Sequence, residues 1–301
     1  MSFDSRLAVQ TGLFVGLATL DWVYQVAAIP QPNQKVVAIA DAMAAGGPAT
    51  NAAVTFAHLG DRPTLLAVFG QHPLSQLLQA DLVEQGVCWL DLAPELVLPP
   101  PVSSILVTQA TGDRAVISRN ATQSQVGGDR LPSAIHDALT QRTVGVVLID
   151  GHQPALSAAI AMLAHAQQIP VVLDGGSWKP GLEAVLPWVD YALCSANFCP
   201  PGCEDEAGAI AHLRQFGIPH IAITHGGDPI HINDQGTEAW LPVPTITPVD
   251  TLGAGDVFHG AFCHFILRLP FRAALAASAP VAAKACQSFG TRQWLHDAQP
   301  G

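Results

Sequence analysis

Short apolar runs alternate with longer, alanine-rich stretches along most of the chain. Runs at 13–17, 64–69, 144–150, 171–174, 191–195 and 220–224 predict strands. The stretches 51–59, 74–85, 155–168 and 206–216 carry apolar positions at helical spacing and stop at or near Gly60, Gly86, Pro170 and Gly217. Such alternation predicts βαβ units around a mostly parallel sheet. From Val144 onward the strands are unbroken apolar runs, the pattern of strands covered on both faces.

Two segments, 22–41 and 102–120, break this rhythm and read as extended. In the second, 103–108, the turn Thr111-Gly112-Asp113 and 114–118 predict a β-hairpin. Together they predict a small accessory sheet over the mouth of the main one. No internal repeat, low-complexity tract or linker interrupts the chain. The expectation is one domain over 1–301 with an inserted lid, about 21–42 and 102–120.

Composition narrows the possibilities. The chain is 49% hydrophobic and 12% charged, which supports a substantial core and argues against disorder. Formal charge is −11, with three lysines (Lys35, Lys179, Lys284) and no basic run, so nucleic acid is not an expected partner. Mean hydropathy is +0.31. Even so, no apolar run reaches the roughly 18 residues of a membrane helix, and the stretch 273–286 is broken by Ser278, Pro280 and Lys284. The first ten residues carry Asp4 and Arg6 and lack the apolar core of a secretion signal. A cytoplasmic protein is expected, with its six cysteines as free thiols. Cys194, Cys199 and Cys203 cluster without the paired spacing of zinc ligands.

The most informative stretch is Asp250-Thr251-Leu252-Gly253-Ala254-Gly255-Asp256-Val257-Phe258-His259-Gly260, which opens a helical pattern running to about Arg268. Gly253, Ala254 and Gly255 carry little or no side chain, so backbone amides can converge at a helix N-terminus and bind an anion. Asp256, in the first helical turn, could take a proton from a hydroxyl while those amides hold a phosphoryl group. Read alone, the run could equally be a glycine-rich turn capped by Asp256. It is not G-x-G-x-x-G, and no P-loop motif occurs in the chain.

Upstream, Gly46-Gly47-Pro48-Ala49-Thr50-Asn51 leads into a helix. Paired glycines let a backbone approach a ligand, and the Asn51 amide both donates and accepts, as a sugar hydroxyl requires. The alternative is a loop with Thr50 or Asn51 as a cap. Asp21 follows the first strand, where a carboxylate can accept two hydroxyl protons.

The two runs, about 200 residues apart and in this order, resemble the two signatures of the ribokinase (PfkB) family of carbohydrate kinases. The resemblance implies a three-layer α/β/α sandwich with a β-sheet lid, ATP and Mg²⁺ as cofactors, and phosphoryl transfer to a sugar hydroxyl. It implies Asp256 as base, with Gly253, Ala254 and Gly255 forming the anion hole. Asp21, Gly46, Gly47 and Asn51 would hold the sugar. Thr224-His225-Gly226 resembles the loop that contacts ATP. Asn197 resembles the start of an N-x-x-E motif that organises water around Mg²⁺, but Pro200 stands where the glutamate would be. Metal positioning could instead lean on Asp174. The turn ending at Gly290 resembles the one covering the adenine, and carbonyls near Asp250 and Leu252 resemble a monovalent-cation (K⁺) site. A homodimer through the lid is also implied.

For the acceptor, Gly16-Leu17 with Leu20-Asp21, Gly46-Gly47-Pro48-Ala49 and Asp256-Val257-Phe258-His259-Gly260 are similar to ketohexokinase and sulfofructose kinase. A ketose or related small carbohydrate is expected. Lys35 and Arg119 are candidate cations for an anionic end of the substrate, and His152 could face the site. Trp22 and Tyr24 keep a nucleoside acceptor open. A catalytically idle binding or assembly protein is the third reading, prompted by the missing glutamate.

Overall fold

The computed structural model describes residues 8–119 and 124–296; Asp4, Arg6 and Asn120, on which earlier expectations touch, lie outside them. Among the described residues the strands form two sheets. The large one is ordered β13-β12-β11-β10-β9-β8-β1-β4-β5. Its parallel part comprises β1 (Thr11–Val15), β4 (Arg62–Ala67), β5 (Cys88–Asp91), β8 (Val146–Ile149), β9 (Val171–Gly175), β10 (Tyr191–Ser195) and β11 (His220–His225). An antiparallel hairpin, β12 (Asp228–Asp234) and β13 (Thr237–Leu241), closes one edge. The sequence reading did not anticipate this hairpin, because Pro229, His231 and Asn233 blur the apolar run.

The small sheet is ordered β3-β2-β6-β7, from β2 (Thr19–Val26), β3 (Ala40–Gly46), β6 (Val102–Thr108) and β7 (Arg114–Ser118). The expected hairpin is β6–β7. The sheet reaches further than the extended segments foresaw, starting at Thr19 and continuing to Gly46.

Helices cover both faces of the large sheet. One face carries α1 (Pro48–His58), α2 (Pro73–Glu84), α6 (Ala254–Ile266) and α7 (Phe271–Ala285), with Phe14, Phe56, Leu78 and Phe262 in its core. The other carries α3 (Ser133–Thr140), α4 (Pro154–Ala166) and α5 (Glu206–Gln215) over Leu139, Ile160, Leu173 and Leu213. Every residue of β8 and β9 is buried, as their unbroken apolar runs require. Three helices begin at a proline (Pro48, Pro73, Pro154), one to three residues before the expected starts. Proline lacks only an amide that a first turn leaves unpaired.

Candidate active site

The site forms where α6 meets α1. Gly260 lies one turn beyond Asp256, and a Cβ there would collide with the Ala52 carbonyl and the Thr55 side chain. Its absence lets the two helices close together, so that Asn51 Nδ2 donates to Asp256 Oδ2 at 2.8 Å. Gly253, the N-cap of α6, has φ 71°, a left-handed conformation that only glycine adopts without cost. It turns the chain so that the amides of Gly255 and Asp256 project from the first turn without intrahelical acceptors. Gly255 is exposed there. The Ala254 amide instead lies 3.3 Å from the Thr251 carbonyl.

Asp256 keeps part of its surface open, yet its carboxyl group sits in a cluster of buried acids. Burial, followed by the charge of Asp174, pushes its pKa up to about 7; the Asn51 hydrogen bond and His259 oppose the rise, and Asp21 adds to it. Asp174, at the end of β9, accepts from the Gly176 amide at 3.1 Å and lies 3.4 Å from His259 Nδ1. Among the described residues no group of His, Cys, Asp and Glu is arranged to hold a metal ion. Asp174 contributes to this charge cluster, where its charge helps raise the Asp256 pKa. The Cys199 thiol donates to the Cys203 carbonyl.

Asp21 is buried on β2, where Thr19 Oγ1 donates to it at 2.7 Å, and burial raises its pKa. Gly46 lies directly against its carboxylate, and Gly47 caps α1 with φ 102°. Asp21, Gly46, Gly47 and Asn51 thus line one corner, next to Asp256. Beneath it, Asp150 accepts from the amides of Leu17 at 2.9 Å, Ala49 at 3.2 Å and His152 at 2.9 Å. Its burial would raise its pKa, but His152, Lys179 and these amides hold it down to about 2. His152 is thereby the partner of Asp150, with Nδ1 3.0 Å from the carboxylate. Sequence reading did not single out Asp150, whose role appears only when the β1 loop and the start of α1 meet.

On the other side of Asp256 a cavity of about 290 Å³ opens. Thr224, Gly226, Val243 and Ile246 line it, together with Ala254 and Gly255 from the start of α6. Two of the expected nucleotide residues, Thr224 and Gly226, are therefore in its wall. Asn197 and Gly290 are not among its lining residues. The Asn197 amide donates to Ser195 Oγ at 3.1 Å, in an exposed turn. Gly290 serves the Asp250 turn: Asp250, buried, accepts from the amides of Leu252 at 2.8 Å and Gly290 at 2.9 Å.

Two arginines missed by sequence reading reach the site. From β7, Arg114 Nη1 donates to the Thr251 carbonyl at 3.0 Å and to Thr251 Oγ1 at 2.8 Å. Both oxygens of Asp250 are thus engaged, one by its own loop and one by the Gly290 amide after α7, and the Arg114 guanidinium sits on the turn. Arg292, after Gly290, bonds Asn51, Ala45 and Asp81. By contrast, Lys35 is exposed in the loop between β2 and β3, and Arg119 is exposed just past β7.

The small sheet stands over the same corner. Val23, Ile105 and Val107 pack against Leu252 and Phe289, which flank the turn before α6. Trp22 and Tyr24 stack on each other, with centroids 6.1 Å apart, on the face of β2 opposite Asp21. They face away from the site and lend no support to a nucleoside acceptor.

Comparison with known proteins agrees with this arrangement. A family model described as pfkB family carbohydrate kinase matches residues 12–298. A ribokinase of Bacillus subtilis is 23% identical over 254 residues, covering 82% of this chain and 83% of its own. A fructosamine kinase of the same organism is 26% identical over 263 residues, covering 81% and 84%. The structure of Arabidopsis thaliana ribokinase complexed with ribose and ATP superposes with TM-score 0.75 at 19% identity, covering 97% of this chain and all of the other. Thermotoga maritima ribokinase gives TM-score 0.74 at 19% identity, covering 95% of each chain.

Proposed function

Because the chain belongs to the pfkB family of carbohydrate kinases, we propose that it moves the γ-phosphoryl group of ATP to a primary hydroxyl of a small ketose or related sugar, with Asp256 as proton acceptor. One observation carries this reading: Asp256 stands between a polar corner and a cavity lined by its neighbours Ala254 and Gly255. Asp21 and Asn51 supply the corner, and Gly255, in the first turn of α6, lines the cavity. In the reaction the acceptor oxygen attacks the γ-phosphorus as the bond to the β-phosphate oxygen breaks and ADP leaves. The hydroxyl proton passes to the Asp256 carboxylate. The amides at the start of α6 balance the charge that builds on the transferring group.

The cavity suits the nucleoside end of ATP, since its walls are mainly aliphatic and backbone. ATP enters as its magnesium complex, in which the ion neutralises phosphate charge. Asp21, Gly46, Gly47 and Asn51 orient the sugar, and the small sheet covers it as a lid that excludes water. ADP release measured across ketoses, aldoses, sugar phosphates and nucleosides tests the reading. A single class of sugar should stimulate turnover; stimulation by nucleosides alone would replace the acceptor, and none at all would favour a binding role.

The outer face of the lid supports a homodimer. Met43, Trp22, Ser104 and Ile117 stand in register across its four strands, and Trp22, Met43 and Ile117 are exposed by 40%, 44% and 73%. Exposed large apolar side chains on one sheet face, here interrupted only by Ser104, support an interface. Light scattering should give a dimer for the native chain and a monomer for Trp22→Glu with Ile117→Lys. A monomeric native chain at micromolar concentration would sink this part of the proposal.

A further inference from the structure

A side-chain amide has a donor end and an acceptor end, and the two cannot be told apart by shape. At Asn51 the surroundings decide between them. Arg292 has only donors, and its Nη1 lies 3.0 Å from Asn51 Oδ1. The NH₂ end must then point the other way, to Asp256 Oδ2 at 2.8 Å. Arg292 is itself fixed. Its Nη2 donates to Asp81 at 3.1 Å and to the Ala45 carbonyl, just before Gly46, and Asp81 also accepts the Ala45 amide at 3.0 Å. The guanidinium is 14% exposed and Asp81 15%.

We infer that Arg292 is a positioning residue that locks the Asn51 amide with its NH₂ toward Asp256, keeping the proposed base in its proton-accepting form. The inference rests on the kinase reading for its catalytic meaning, but the lock itself does not. An amide NH₂ favours the carboxylate; an amide oxygen favours the protonated acid. Without Arg292 the amide is free to turn over and hold the acid. The other charged groups facing Asp256 are Asp174 from β9, Asp21 from β2 and His259 on its own helix. Arg292 is needed against this mainly acidic set. It reaches Asp256 through Asn51 and touches no reacting atom.

The test uses the full-length protein. The side-chain carboxyl ¹³C signal of Asp256, assigned by its loss in Asp256→Asn, is titrated in the native chain, Arg292→Met and Arg292→Lys. The midpoint should rise by about one pH unit in Arg292→Met. It should rise less in Arg292→Lys, which keeps one donor but cannot span Asn51, Ala45 and Asp81. In the kinase assay the acid limb of kcat should move by the same amount, with KM for ATP unchanged. An unmoved midpoint in a folded Arg292→Met protein overturns the inference, as would a pH-independent loss of turnover. If Arg292→Met does not fold, an unmoved midpoint in Arg292→Lys does the same. A shifted midpoint in a chain that phosphorylates no sugar would uphold the lock and sink the kinase reading instead.

Discussion

Asp256→Asn is expected to lower sugar-dependent ADP formation by roughly 10²–10⁴-fold, the range spanned by removal of a general base. Asparagine can still accept the Asn51 hydrogen bond, so the local geometry should persist while the proton acceptor is lost. The native enzyme should lose activity as pH falls below about 7, where burial and Asp174 place the Asp256 ionisation, by about tenfold per unit. The same shift has a stability consequence of defined sign. Unfolded, this carboxyl ionises near 4; folded, it holds its proton to about 7. The ionised group therefore opposes folding above pH 7, and the opposition fades as pH falls toward 4. Asp256→Asn should raise Tm at pH 8 and leave it nearly unchanged at pH 4. Loss of turnover together with a lower Tm at pH 8 would indicate a folding defect and remove the support for Asp256 as the base.

Gly46→Ala is expected to act on the sugar alone. A Cβ at this position falls on the Asp21 carboxylate. Asp21 is buried and tied to Thr19, so either it or the end of β3 must move. Displacement of an orienting group by about an ångström costs on the order of 100-fold. We expect a loss of that size in kcat/KM for the sugar with KM for ATP unchanged, because neither Gly46 nor Asp21 lines the cavity proposed for the nucleotide. Steady-state kinetics with each substrate varied in turn checks this. Sugar kinetics within a few-fold of native would show that Asp21 and Gly46 do not hold the acceptor.

Much of this could be read from the sequence because it is written in local pattern. Unbroken apolar runs located six of the parallel strands, though not the short β5, and period-3.6 spacing located helices α1, α2, α4 and α5; the two glycine-containing runs are the ones that the structure brings together at Asn51 and Asp256. What escaped depends on contacts between distant segments. Arg292 lies 241 residues from Asn51, and Arg114 lies 137 from Thr251. No spacing rule connects such pairs; only the packing of α1, α6 and the small sheet does. Lys35 and Arg119 were chosen because they are cations in the extended segments, yet a lone charge carries no information about which way the chain will turn it. The proline starts of α1, α2 and α4 were missed because proline reads as a breaker, although a first turn accommodates it.

The small sheet is built from two excursions, one between β1 and α1 and the other between β5 and α3. Its own apolar cluster is Val23, Ile105 and Val107, and few of its residues enter the cores beneath the helices. The large sheet with its helices and the small sheet therefore keep largely separate apolar clusters. The sheet meets the framework chiefly where Arg114 bonds Thr251 and where Val23, Ile105 and Val107 pack on Leu252 and Phe289, so a movement of the sheet is passed directly to the turn before α6.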